Sequence, residues 1–296
     1  MEGITLIDIY RKQWKVDKLI GYGGFGCVYS TQCINNNNNN TRQAVIKIES
    51  LNNNTMVLEV LVYNDIYDKD RIELWKSYKN IDHLGIPRYY GCGSFKHNTR
   101  YYRFILLERF VENTKELLKK VKKPKPLIKS IMNDMLYILE YIHEHGISHG
   151  DIKPENIMVD GKYRSYLIDY GIVSYFIVNG KHVKYYKESK NWHRGTLYYA
   201  SIDAHNGTCV TRRGDLESLG YCMLKWAGIP LPWKVFGNNG NMVHAAKCDF
   251  IKRVHENKFN IKSGNKGIYD YIKYVTKLSY EEKPDYDLLR QLVNSL

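Results

Sequence analysis

The chain of 296 residues is 44% hydrophobic and 25% charged, and its 44 Lys and Arg outnumber 31 Asp and Glu to give a net charge of +13. This excludes a disordered or collagen-like chain, and no apolar run approaches the roughly 18 residues of a membrane-spanning helix. The charge excess points to an anionic partner: nucleic acid, an acidic substrate or a DNA-bound substrate.

The length suits two lobes or one large domain. The N-terminus lacks the apolar core of a signal peptide. Six cysteines, with no C-x-x-C pair, read as reduced thiols of an intracellular protein. No internal repeat is evident.

In chain order, Leu19-Ile20 leads into Gly21-Tyr22-Gly23-Gly24-Phe25-Gly26-Cys27-Val28. Glycines let backbone approach phosphates closely. The pattern G-x-G-x-x-G alone fits a dinucleotide site, a turn or a phosphate lid. Strand-like residues on both sides predict strand, loop, strand, which favours the lid. Asn35–Asn40 is a polar, low-complexity run and predicts a solvated hairpin loop. Ala44-Val45-Ile46-Lys47-Ile48 is a β-branched strand with a lysine inside. A lysine there is costly unless paired; Glu59 is the candidate partner, with Glu49 also nearby. One helix is predicted around 55–67, then a strand over 101–107.

From about residue 111 the pattern turns helical. Over 127–146, apolar residues at 128, 131, 132, 135, 138, 139 and 142 form a 3.6-residue stripe that Gly146 closes. The string His149-Gly150-Asp151-Ile152-Lys153-Pro154-Glu155-Asn156 follows, then Asp169-Tyr170-Gly171. Asp151 can accept a proton from a hydroxyl, and Lys153 can offset charge on a phosphoryl group in flight. Asn156 and Asp169 offer oxygens to Mg2+, a hard cation. Apolar runs at 157–159 and 166–168 flank Asp160-Gly161-Lys162 and predict a hairpin with Asn156 and Asp169 at its ends. Asp215–Ala227 predicts a buried helix, with Asp215 as a possible cap. His145 and His149 have helical spacing, but no further ligands line up with them.

These motifs, in this order, resemble the protein kinase superfamily over nearly the whole chain. The finer match is to the casein kinase 1 group and its vaccinia-related kinases, including poxviral serine/threonine kinases. It is carried by residues 148–153, 167–171, Ser201-Ile202-Asp203-Ala204-His205, Arg212–Cys222, Leu231-Pro232-Trp233 and Pro284-Asp285-Tyr286-Asp287. The resemblance implies an α+β bilobal fold. Residues 1–110 would form a small β-rich, ATP-binding N-lobe, and 111–296 a larger helical C-lobe that is catalytic and binds substrate. The ATP site would draw on Gly21, Gly23, Gly24, Gly26, Val28, Lys47, Glu59, Leu107 as gatekeeper, and the hinge backbone with Glu108 and Phe110. Asp151 and Lys153 would be catalytic, Asn156 and Asp169 would hold Mg2+, and Asp215 would brace the catalytic-loop backbone. Lys153 with Thr196 matches serine/threonine specificity.

The resemblance further implies a monomer acting in the host cytoplasm on protein substrates in support of viral DNA replication. The host barrier-to-autointegration factor would be one substrate, and no membrane association is expected. Direct nucleic-acid contact stays open: Lys119–Lys125, with five lysines in seven residues, and Lys181–Arg194, with Tyr185, Tyr186 and Trp192, suit either a solvated surface or an electrostatic dock. A pseudokinase scaffold and a nucleic-acid binder on a kinase fold are the alternative functions.

Two departures carry expectations. Gly150 replaces the arginine that grips a phosphorylated activation loop, which predicts activity independent of loop phosphorylation. Ser201-Ile202-Asp203 replaces Ala-Pro-Glu, which leaves open whether the large lobe keeps its usual Glu–Arg brace.

Overall fold

A computed structural model describes residues 1–23, 26–34, 44–122, 124–188, 193–259 and 263–296. The expected loop at Asn35–Asn40 lies outside these residues, as do Gly24 and Trp192. The chain falls into two compact units: Met1–Tyr78 with Ile86–Val111 and Asp169–Gly171, and Lys79–Gly85 with Glu112–Ile168 and Ile172–Leu296.

The first unit is built on an antiparallel sheet of β1 (Thr5–Ile7), β2 (Gln13–Gly23), β3 (Gly26–Cys33), β4 (Ala44–Ser50), β5 (Tyr89–His97) and β6 (Arg100–Glu108), in the order β1-β2-β3-β4-β6-β5. Successive strand side chains point to opposite faces, and β4 uses this directly. Ala44, Ile46 and Ile48 enter an apolar core with Trp14, Val16, Phe104 and Leu106, so Val45 and Lys47 face the other way. Register places Val28 and Ile105 beside Lys47, and Leu107 beside Val45. One sheet face thus carries Val28, Lys47 and Leu107 together.

Two helices accompany this sheet. Helix α1 (Thr55–Ile66) matches the helix expected around 55–67. Helix α2 (Lys69–Lys79) was not expected, since the sequence pattern gave the region one helix. Only Ile72 of α2 is buried, so its sequence lacks the apolar stripe that announces a helix.

The second unit contains β7 (Glu112–Asn113), α3 (Thr114–Lys120), α4 (Lys125–Glu144), β8 (Ile147–Ser148), β9 (Ile157–Val159), β10 (Ser165–Leu167), β11 (Ser174–Tyr175), β12 (Ile177–Val178), β13 (Lys181–His182), α5 (Ile202–His205), α6 (Arg212–Trp226), α7 (Gly240–His255), α8 (Lys266–Val275) and α9 (Tyr286–Asn294). All seven stripe positions of α4 are buried. Gly146, at φ 72°, follows the helix in the left-handed conformation that glycine adopts without a Cβ penalty. Helix α6 is buried on nearly every side. At the rim of α4, the Glu140 carboxylate receives Lys79 at 2.5 Å and Arg290 of α9 at 2.8 Å.

Gly85 packs under the β9–β10 hairpin. A Cβ there would lie 1.9 Å from the Ser165 carbonyl oxygen and 2.8 Å from Ile138 Cδ1. Gly161, in the hairpin turn, has open space around it. Gly85→Ala is expected to lower the unfolding free energy by about 1–3 kcal/mol through overpacking. Gly161→Ala should change it by less than about 0.5 kcal/mol. Urea denaturation of both variants checks this; equal stability would show that the hairpin is not seated on Gly85.

Candidate active site

Lys47 lies on the core-opposed face of β4, where burial alone would disfavour its charge. Two carboxylates reverse that balance. Its Nζ is 2.8 Å from Glu59 Oε2 and 2.8 Å from Asp169 Oδ1. Burial lowers the ammonium pKa, but Glu59 and Asp169 together hold it above its ordinary value. Glu59 is buried on α1 and also accepts a hydrogen bond from the Tyr170 backbone. Glu49, the other candidate partner, accepts instead from Thr55 Oγ1 and Met56 N at the start of α1. Asp169 has φ 68°, a conformation that non-glycine residues hold mainly where surrounding structure imposes it. The buried Tyr170 ring meets Tyr63 of α1 edge-on at 5.3 Å.

The glycine motif occupies the β2–β3 end. Gly21 pairs with Val28, and Gly23 with Gly26. Gly26 has φ 148°, and a Cβ there would sit 2.3 Å from the Ile48 carbonyl oxygen, so glycine is required by the close approach of β4. Leu107 is buried. Phe110 is half-buried. The Glu108 amide already donates to the Arg88 carbonyl at 2.9 Å, which takes that one N–H out of the set available to a ligand.

The second unit gathers Asp151, Lys153, Asn156 and Thr196. Lys153 Nζ donates to Asp151 Oδ2 at 2.6 Å and to Thr196 Oγ1 at 2.9 Å. The Thr196 amide donates to Asp151 Oδ1 at 2.8 Å. Asn156 Nδ2 donates to the Asp151 carbonyl at 3.0 Å and to its Oδ2 at 3.2 Å. The amide oxygen of Asn156 is thereby its remaining acceptor. At the base of the hairpin, Ile168 N donates to the Asn156 carbonyl at 3.0 Å, and Asp169 is the next residue along the chain.

Asp215 is buried in the first turn of α6, where Thr211 is the N-cap. Its carboxylate accepts from the His149 amide at 2.6 Å, the Gly150 amide at 2.8 Å and His143 Nε2 at 3.0 Å. It braces the backbone that precedes Asp151 and does not serve as the cap. Gly150 has φ 79°. His149 Nε2 contacts the Ile168 carbonyl at 3.0 Å. Among the described residues, no group of three or more His, Cys, Asp or Glu side chains could hold a metal by itself, and no helix is long and apolar enough to cross a membrane.

Sequence reasoning missed how the Thr196–Ala200 turn is held. Lys247 of α7 is fully buried, and its Nζ reaches the Leu197 carbonyl at 2.9 Å, the Ala200 carbonyl at 2.5 Å and His205 Nε2 at 3.2 Å. Trp233 Nε1 donates to the Tyr198 carbonyl at 2.9 Å. His205 Nδ1 is 2.8 Å from His193 Nδ1, and its ring stacks on His244. A lysine in a helix with a polar exposed face gives no periodic sign that it points inward. The large-unit brace is present in altered form: Arg213 makes two 2.8 Å bonds to Asp203.

A protein kinase domain pattern matches residues 14–292. The chain is 89% identical over 296 residues to a probable serine/threonine-protein kinase of fowlpox virus (strain NVSL), covering 100% of both. It is 36% identical over 299 residues to the B1 kinase of vaccinia virus (strain Western Reserve), covering 99% of this chain and 97% of that one. A solved structure of vaccinia related kinase 3 superposes with a TM-score of 0.86 at 27% identity, over 100% of this chain and 91% of the other. The chain therefore belongs to the protein kinase family, in its vaccinia-related branch.

The Lys247 network has a pH signature. Burial lowers the Lys247 amine from 10.5 to about 7 and His205 to about 2. As an ammonium, Lys247 donates to both carbonyls and to His205. As a neutral amine, it donates to the carbonyls and accepts from the imidazole. Above about 7 the folded amine has shed a proton that the unfolded lysine retains up to 10.5. Stability therefore rises with pH across that window, by at most about 1.4 kcal/mol per pH unit. Glu217, raised by burial to about 7, acts below this window and with the opposite sign. Unfolding free energies of wild type and Lys247→Met at pH 7 and pH 9 should diverge in favour of wild type at the higher pH. A constant difference would mean that the buried amine keeps its proton.

Proposed function

We propose that the protein is an ATP-dependent serine/threonine kinase that transfers the γ-phosphoryl group in line to a substrate hydroxyl. The observation that carries this reading is the Asp151–Lys153–Thr196 cluster. Asp151 is held through both oxygens; Oδ2 already takes Lys153 and Asn156, while Oδ1 takes the Thr196 amide and keeps a lone pair for a further hydrogen bond. The substrate hydroxyl donates its proton to Asp151 as its oxygen bonds to the γ-phosphorus. The bond to the β–γ bridging oxygen breaks, and ADP leaves with the electron pair. Lys153 lies where it can offset charge on the transferring group.

The small unit supplies the nucleotide contacts in this reading. Lys47, fixed by Glu59, meets phosphate oxygens. Gly21, Gly23, Gly24, Gly26 and Val28 form the phosphate cover, and Leu107, Glu108 and Phe110 the adenine site. Residues 1–110 would thus serve ATP, and 111–296 catalysis and substrate binding. Asn156 and Asp169 would hold Mg2+ through an amide oxygen and a carboxylate, the oxygen donors that a hard cation favours. When bound, Mg2+ neutralises phosphate charge.

The vaccinia-related branch and the net charge of +13 support a finer reading. The protein acts as a monomer in the host cytoplasm, and its protein substrates include the host barrier-to-autointegration factor, phosphorylated in support of viral DNA replication. A basic kinase is drawn to a substrate lying on DNA.

With Mg-ATP, wild type should label a Ser/Thr peptide library and barrier-to-autointegration factor. Asp151→Asn should lose about 10²–10⁴-fold in rate, the range of general-base catalysis, and Lys47→Met should also lose activity. Equal labelling by all three would remove the catalytic assignment. ATP binding without transfer would leave a scaffold, and labelled peptides beside unlabelled barrier-to-autointegration factor would remove only the finer reading. Gly150 offers no cation to an activation-loop phosphate, so phosphatase-treated enzyme should keep its rate within about 2-fold. Loss of activity restored by rephosphorylation would refute that independence.

A further inference from the structure

The two lysine-rich runs of the sequence have different fates in the fold. In the first, Lys119 pairs with Glu116 and Lys120 with Glu112, and Lys125 Nζ donates to the Gly264 carbonyl at 2.6 Å. Those charges are committed within the protein. In the second, Lys181, Lys184 and Lys187 are exposed, and none of the three makes an ion pair among the described residues. Glu188 is the one carboxylate over 181–194.

The backbone of this second stretch is pinned to the large unit. Strands β12 and β13 form a hairpin through Asn179 and Gly180, at φ 52° and 72°, the left-handed pair that a type I′ turn requires. Val183 N donates to the Phe176 carbonyl at 2.9 Å, and Glu188 N to the Gly207 carbonyl at 3.1 Å. Two side chains turn inward to one ring. His182 meets Tyr280 edge-on at 5.3 Å, and Tyr185 meets it edge-on at 5.0 Å. Lys181, Lys184 and Lys187 are left outside, and the Tyr186 ring lies among them at 69% exposure. The positive field extends to α7: burial lowers the His244 pKa, and the charges of His193, Lys187 and Lys247 lower it further.

An exposed ring set between uncommitted cations on a fixed backbone suits a ligand that carries both phosphates and unstacked bases. A duplex keeps its bases stacked inside, and an acidic peptide brings charge without a base for the ring. We propose that the stretch over 181–187 is a binding surface for single-stranded nucleic acid, with Lys181, Lys184 and Lys187 on its phosphates and Tyr186 stacked on a base. The surface does not depend on the kinase reading, since none of these residues belongs to the Asp151 cluster.

Fluorescence anisotropy of the full chain with a labelled oligothymidylate tests this, beside the same strand in a duplex with oligoadenylate and a labelled poly-glutamate. The single strand should bind tightest of the three. Its affinity should fall by about 20-fold between about 50 and 200 mM salt, the slope that three phosphate contacts give. The triple variant Lys181→Glu/Lys184→Glu/Lys187→Glu should flatten that slope. Tyr186→Ala should weaken the single strand by about 5-fold or more at an unchanged slope, and Tyr186→Phe should bind as wild type does. Thermal melts report whether each variant is folded, and the exposed Tyr186 pair decides alone if the lysine variant melts early. Equal affinity for duplex or poly-glutamate would reduce the stretch to an unspecific basic surface and overturn the proposal. Absence of binding, or binding that none of the substitutions alters, would overturn it as well, and each of these results leaves the kinase reading intact.

Discussion

The backbone that leads into Asp151 depends on one buried carboxylate. Asp215 takes the amides of His149 and Gly150 and the His143 imidazole at 2.6 to 3.0 Å. Hydrogen bonds to a charged acceptor are stronger than neutral ones, and leaving such a carboxylate unpaired in the interior costs several kcal/mol. The backbone before Asp151 is therefore fixed by a helix whose own packing is complete. Gly150 permits this at φ 79°, where a Cβ would stand 3.0 Å from the Ile172 carbonyl oxygen. Asp151 enters the site from a rigid backbone, and Thr196, Lys153 and Asn156 then orient its side chain.

The small unit solves a different problem. A strand that buries Ala44, Ile46 and Ile48 must send Lys47 to the opposite face, and there the ammonium needs anions. Glu59 and Asp169 provide them. The arrangement is economical in sequence, since a seven-residue strand specifies both a core and a cation. The neighbouring strand β4 also leaves no room for a side chain on Gly26, where a Cβ would meet the Ile48 carbonyl.

These features differ in how far the sequence announced them. The α4 stripe was legible because burial on one face imposes a 3.6-residue period, and every stripe position is buried. The hairpin was legible because Asp160-Gly161-Lys162 breaks two apolar runs, though its second strand pairs one residue earlier than the pattern indicated. Lys47 stood out because a charge inside an apolar strand demands a partner, and Asp151 and Asn156 because their spacing in one string suits phosphoryl transfer. What stayed hidden depends on tertiary context. Helix α2 buries too little to leave a pattern. Glu59 was the candidate for Lys47, but what keeps Glu49 from it, its bonds to Thr55 and Met56 at the start of α1, was not legible. Lys247 looks like any surface lysine of an amphipathic helix until α7 is packed.

The hidden group bears on how the Thr196–Ala200 turn is ordered. This turn offers the carbonyls of Leu197, Tyr198 and Ala200, and each meets a buried donor from Lys247 or Trp233. A few residues on, Asp203 is clamped by Arg213, which also lies over the Tyr280 ring. All these donors belong to the folded core of the same unit. A phosphate added to a loop creates order by recruiting cations; here the cations and N–H groups already have their acceptors in the backbone. The order of this turn is thus tied to the packing of α6, α7 and the 232–236 turn that carries Trp233. Opening the turn therefore means breaking bonds to buried donors, which ties its order to the surrounding core.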